Sequence, residues 1–150
     1  MKKVILDIYN SLQDIAWNFG SQGVNGECCG NLSLVEFMAL KNIYENSQCS
    51  IQEIGRGLNF TKSGATRIID RLEKKGYIIR ERSLVDGRIC CVTVTAQGTD
   101  VISNVVEQNT LYLDDVLKDL EPQRVVQIKD VLEILLSSVR QHESTLSRTL

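Results

Sequence analysis

The chain has 150 residues, 43% of them hydrophobic and 24% charged, which fits one globular domain and excludes a disordered chain. One proline and ten glycines exclude collagen-like and proline-rich linker sequences, and no apolar run approaches the ~18 residues that cross a bilayer. A net charge of −2 points to no polyanionic partner by itself, so the distribution of charge has to be read along the chain.

Asp7 interrupts the apolar run after Met1-Lys2-Lys3, which argues against a signal peptide and makes a cytoplasmic protein without a membrane partner the expectation. Residues 4–19 place Val4, Ile5, Ile8, Tyr9, Leu12, Ile15, Ala16 and Phe19 at a spacing of three to four, an amphipathic helix. Gly20, Gly23, Gly26 and Gly30 then mark a loop. Ser33-Leu34-Val35-Glu36 is a capping box and opens a helix to about Glu45. Ser50-Ile51-Gln52-Glu53 is a second box and opens a short helix to about Leu58. After the break at Asn59-Phe60, Thr61 caps a third helix that runs to Lys75, and Gly76 ends it as a left-handed residue would.

The hydrophobic period then changes from 3.6 to 2. Tyr77–Arg82 and Ile89–Thr95 are rich in β-branched residues and flank Asp86-Gly87, which predicts a hairpin with a loop of about six residues. Helical spacing returns at Ile102, Val105, Val106, Leu113, Val116, Leu117 and Leu120. Pro122 stands at the first position of a last helix with the stripe Val125, Ile128, Val131, Leu132, Leu135, Leu136 and Val139. The predicted order is α-α-α-α-β-β-α-α, mainly α with a small β-hairpin.

Charge is uneven along this order. Residues 61–88 carry eight basic and four acidic side chains, against nine basic and fifteen acidic in the remainder. A basic middle in an acidic body is either a polyanion-binding surface or a solvated, ion-paired helix face. Two short helices joined by a tight turn and followed by a hairpin favour the first, because they form a winged helix-turn-helix. The exposed face of its second helix holds Lys62, Ser63, Thr66, Arg67, Asp70 and Arg71, and its apolar face holds Ala65, Ile68, Ile69 and Leu72. Small hydroxyls at Thr61, Ser63 and Thr66 permit close approach to DNA. Arg67 has the fork that matches a guanine edge, and Arg71, one turn on, suits a phosphate. Gly64 in the first turn costs the helix about 1 kcal/mol relative to Ala. Leu84-Val85 makes the tip of the hairpin unusually apolar.

The stretches Ile51–Leu58 and Thr61–Gly76, with Asp86-Gly87-Arg88 and Val92-Thr93-Val94-Thr95-Ala96-Gln97-Gly98, resemble the helix-turn-helix, wing and exit strand of MarR-type transcriptional regulators. The resemblance extends over essentially the whole chain. It implies a homodimer on a pseudo-palindromic operator in double-stranded DNA, with residues 33–98 as the DNA-binding region and residues 1–30 and 100–150 as dimerisation helices and loop. It further implies that Arg88 enters a minor groove, preferably a narrow A·T-rich one, and that Asp86 orients it. Repression relieved by an effector is the habit of the family. No enzyme activity and no required cofactor are expected. The competing functions are a thiol redox enzyme, and a winged-helix protein-interaction module that does not bind DNA.

The five cysteines lie at 28, 29, 49, 90 and 91, and the only histidine is His142. Without a C-x-x-C or a second histidine no zinc finger can be written, and an odd count without a secretion signal speaks for thiols rather than a disulfide framework. Cys28-Cys29 in the Gly-rich loop reads as a flexible, exposed pair, a candidate sensor for an oxidant or a site for a soft metal ion or metalloid. Cys49 precedes a capped helix where the family has a minimal strand beside the wing sheet, so it is expected near Cys90 or Cys91 and joins the sensor candidates. Cys90 and Cys91 themselves read as small buried hydrophobes of a strand. Tyr9, Trp17, Phe19 and Tyr44 read as core or dimer interface.

Overall fold

A computed structural model describes residues 1–20, 29–47, 49–83, 85–87 and 90–146. The chain divides into two compact units, Met1–Glu107 and Gln108–Leu150. The first holds helix α1 (Lys2–Gly20), helix α2 (Leu34–Glu45), strand β1 (Cys49–Ser50), helix α3 (Ile51–Gly57), helix α4 (Lys62–Lys74), strand β2 (Ile78–Arg82) and strand β3 (Cys90–Val94). Helix α5 (Ala96–Leu117) carries the chain into the second unit, which also holds helix α6 (Pro122–Leu146). The mainly helical fold with a small winged sheet is the one predicted, with β1 completing the sheet.

Local chemistry explains the element boundaries. Both capping boxes form: the Glu36 N–H donates to Ser33 Oγ at 3.3 Å while Glu36 Oε2 accepts the Ser33 N–H at 2.9 Å. The same exchange joins Glu53 and Ser50 at 3.2 and 2.7 Å. Asn59 turns the chain between α3 and α4 at φ 58°, a left-handed conformation that Asn tolerates better than most residues. Gly55 lets the two helices cross closely, since a Cβ there would lie 3.3 Å from both Ala65 Cβ and Phe60 O. Helix α4 ends in a Schellman motif. The Gly76 N–H donates to Glu73 O at 2.9 Å and the Tyr77 N–H to Leu72 O at 3.0 Å, with Gly76 at φ 79°.

The sheet is antiparallel in the order β1-β3-β2. Cys49 faces Val92, and Ile78 and Arg80 face Val94 and Val92. The most deeply buried large side chains are Leu32, Leu40, Ile43, Ile54, Ile69, Leu72, Ile78 and Val92. They come from the turn before α2 and from α2, α3, α4, β2 and β3, so residues 32–92 enclose one core. Each such burial contributes about 2 kcal/mol of hydrophobic stabilisation.

The terminal helices differ. On α1, Val4, Ile5, Ile8, Tyr9, Leu12 and Ile15 are all exposed, and on α6 so are Ile128, Val131, Leu132, Leu136 and Val139. Their apolar stripes exist as the periodicity predicts but are uncovered. Tyr9, Trp17, Phe19 and Tyr44 are exposed as well, which removes them from the core of this chain. No helix among the described residues is long and apolar enough to cross a membrane.

Candidate nucleic-acid interface

Helix α4 presents the predicted polar face. Thr61 is its N-cap, and its Oγ1 accepts the Gly64 N–H at 3.2 Å and lies 3.2 Å from Ser63 Oγ. The Thr66 hydroxyl donates back to Lys62 O at 2.9 Å. Two of the three predicted hydroxyls thus also hold the helix start. Gly64 sits where the cap needs it, since a Cβ there would stand 3.3 Å from Thr61 Oγ1. Thr61, Lys62, Ser63, Thr66 and Arg67 line one open surface depression. Lys62, Ser63, Arg67, Arg71 and Lys74 are exposed, while Ala65, Ile68, Ile69 and Leu72 are buried on the opposite side.

Beside this helix stands the wing. Its loop is organised by Ser83, whose Oγ accepts the Val85 N–H at 3.2 Å and the Asp86 N–H at 3.3 Å. Val85 is 99% exposed and faces solvent. Asp86 is exposed and engaged. Arg88, the predicted minor-groove residue, lies outside the described residues, and so does Leu84.

Two basic residues that the charge count places on the surface are instead tied into the fold. Arg80 of β2 donates from Nη1 to Glu73 Oε2 at 2.9 Å and from Nη2 to Asp70 Oδ1. The hydrogen bond to Asp70 leads the causes that raise the Arg80 pKa above its ordinary value. Lys75 Nζ donates to Asn31 O at 2.7 Å and to Glu36 Oε2 at 3.0 Å. The Tyr77 hydroxyl donates to Asn31 Oδ1 at 2.9 Å. Glu36 is buried. Burial pushes its carboxyl upward, but the Ser33 N–H and the Lys75 ammonium together hold it below the ordinary value. Sequence reasoning missed these roles of Arg80, Lys75, Glu36 and Asn31. No local spacing pairs residues ten or thirty-nine positions apart.

The cysteines depart from expectation in two places. Cys28 lies outside the described residues. Cys29 is not an exposed loop thiol: it is 5% exposed, packed in the core cluster and disulfide-bonded. A tight turn through Gly30 (φ 69°) closes with the Leu32 N–H on Cys29 O at 3.2 Å and draws both residues inward. Cys90 is exposed rather than buried, while Cys91 is buried as expected. Cys49 is buried in β1, paired antiparallel with β3, where its neighbour Ser50 faces the buried Cys91. Burial pushes the Cys49 thiol up, and the nearby Glu53 carboxylate adds to that. Among the described residues no group of three or more His, Cys, Asp or Glu is placed to hold a metal ion.

Comparison with known proteins converges with this geometry. A sequence model described as the MarR family matches residues 32–90. The chain is similar to the transcriptional repressor MprA of Escherichia coli K12, 31% identical over 109 residues, which span 71% of this chain and 62% of that protein. A MarR family protein from Bacillus stearothermophilus superposes with a TM-score of 0.81 at 20% identity, covering 93% of this chain and 98% of that one. FabT of Streptococcus pneumoniae, solved in complex with DNA, does so with a TM-score of 0.76 at 17% identity, covering 94% and 99%.

Proposed function

Since this chain belongs to the MarR family of DNA-binding transcriptional regulators, we propose that it acts as a homodimeric repressor on a pseudo-palindromic operator. Members of this family are transcriptional regulators rather than enzymes, so the thiol-enzyme alternative loses its support. One observation carries the proposal: the N-terminal half of α4 gathers Lys62, Ser63, Thr66 and Arg67 around one open depression, on a helix capped by Thr61. In this reading Arg67 reads a guanine edge, Thr61, Lys62, Ser63, Thr66 and Arg71 approach bases or phosphates, and Arg88, oriented by Asp86, enters the minor groove. Repression as the direction of regulation is drawn from the name of the similar MprA.

Dimerisation is supported by the uncovered stripes of α1 and α6, because contiguous exposed apolar surface of this kind marks an association site. Release from DNA is assigned to a small effector rather than to thiol chemistry at Cys49, whose burial disfavours the thiolate. No cofactor and no soft metal ion is required.

Selection of duplexes from a random library with the purified protein, followed by fluorescence anisotropy, tests the reading. The expected result is a two-fold related site bound in a steeply salt-dependent manner. Recovery of no site would overturn it in favour of a protein-interaction module. On the selected site, Arg67→Ala is expected to cost about 1–3 kcal/mol and to relax preference at one base position. An equal loss on all sequences would make Arg67 a phosphate contact instead. Ile8→Asp, on an exposed position of α1, is expected to leave the fold intact and shift sedimentation from two chains to one. A variant that stays dimeric would disprove association through α1.

A further inference from the structure

Helix α4 carries a liability for any polyanion partner. Ser63, Thr66, Arg67, Asp70 and Lys74 follow one another at helical spacing, so Asp70 shares the face of the proposed DNA contacts. Its side chain is 55% exposed, and Glu73 in the next turn is 38% exposed. Two carboxylates here would repel phosphates.

Arg80 answers both. It projects from β2 and places one guanidinium nitrogen on each carboxylate, Nη1 on Glu73 and Nη2 on Asp70. A lysine ammonium lacks the planar fork that spans two acceptors in this way. The Arg80 Nε is buried and has no hydrogen-bond partner among the described residues. The guanidinium therefore satisfies the two carboxylates while leaving one of its own donors unmet. Partly exposed ion pairs of this kind contribute little to stability. The arrangement changes the surface potential more than it changes the fold.

We propose that Arg80 is a charge-compensating residue of the DNA-binding surface, which withdraws Asp70 and Glu73 from the field that a phosphate backbone meets along α4. The inference rests on the reading that α4 is the helix that enters the groove. Without Arg80, the C-terminal half of α4 presents Asp70 and Glu73 against Arg71 and Lys74 and loses its positive excess.

The test uses the full chain on a duplex recovered by library selection, with Arg80→Met, the double variant Asp70→Asn/Glu73→Gln, and the triple combination. Arg80→Met is expected to bind about tenfold more weakly near 0.1 M salt, with a shallower salt dependence, while melting close to the parent protein. The triple variant is expected to return to within about threefold of the parent, because the unmasked carboxylates are gone. The double variant keeps Arg80 and is expected to bind at least as tightly as the parent, so it decides the matter even if Arg80→Met does not fold. Arg80→Met binding within about twofold of the parent, a triple variant as weak as Arg80→Met, or a double variant that loses affinity would each overturn the proposal. If the parent protein selects no duplex at all, the failure belongs to the DNA-binding reading on which this inference stands.

Discussion

Replacing Gly98 by alanine is expected to destabilise the protein by about 3 kcal/mol or more, lowering Tm by about 10 °C. Gly98 is buried in the first turn of α5, and its N–H donates to Thr95 Oγ1 at 3.1 Å. A Cβ at this position would lie 2.2 Å from Tyr77 O and 2.8 Å from Val94 Cγ1. The first of these atoms is backbone, in a corner that cannot give way cheaply. Tyr77 O already accepts the Thr95 N–H at 3.0 Å, and the Thr95 hydroxyl donates to Gly76 O at 2.7 Å. The end of α4, the start of β2 and the start of α5 are therefore fastened at one point. Displacing α5 to admit a methyl group moves the wing strand and the Schellman turn together. Thermal melts followed by circular dichroism provide the check, with Gly87→Ala as control, since among the described residues a Cβ there meets nothing within 4 Å. The control is expected to melt within about 2 °C of the parent. A Gly98→Ala protein that does the same would show that this corner is looser than described.

That corner also shows where sequence reasoning succeeds and where it ends. Gly76 was legible as a helix terminator because a left-handed residue after a lysine-rich last turn is a local pattern. The capping boxes at Ser33 and Ser50 were legible for the same reason, three residues being within reach of one side chain. The wing was legible from the change of period, and the polar face of α4 from its 3.6-residue repeat. Gly98 gave no such signal, because the space it lacks belongs to Tyr77 and Val94, residues from another element. Arg80 and Lys75 counted as surface cations in the sequence, and only the meeting of β2 with α4, and of α4 with the turn before α2, shows them paired. Cys29 misled for the opposite reason. A glycine-rich context suggests an open loop, but the Gly30 turn folds Cys29 and Leu32 into the core. The exposed aromatics of α1 look like core in a helical wheel, and nothing in periodicity separates a stripe packed on its own chain from one left exposed.

Lys75→Met is expected to destabilise the protein at neutral pH by about 2 kcal/mol, and by progressively less as pH falls and Glu36 takes up its proton. Lys75 is half-buried at the end of α4, and its ammonium stands 3.0 Å from the carboxylate of Glu36, whose side chain is 7% exposed. The methionine stem fills the same space but leaves that carboxylate without its cation and Asn31 O without its donor. A full buried pair broken in this way costs more, and the partial exposure of Lys75 reduces the figure. The direction with pH follows from the depressed Glu36 pKa. A carboxyl whose folded-state pKa lies below its unfolded one contributes stability that is present above the unfolded value and is lost as pH falls through the folded value. Removing Lys75 lets the Glu36 pKa rise, so the contribution shrinks and the two proteins converge in acid, where Glu36 is protonated in both. Urea melts of the parent, Lys75→Met, Glu36→Gln and the double variant at pH 7 and at a series of lower pH values measure the coupling directly. The cycle is expected to return a favourable coupling of about 1–2 kcal/mol at pH 7 that declines steadily as pH falls below the ordinary carboxylate range. A coupling that is absent at pH 7, or unchanged in acid, would show that the Lys75–Glu36 contact does not fasten the end of α4 to α2.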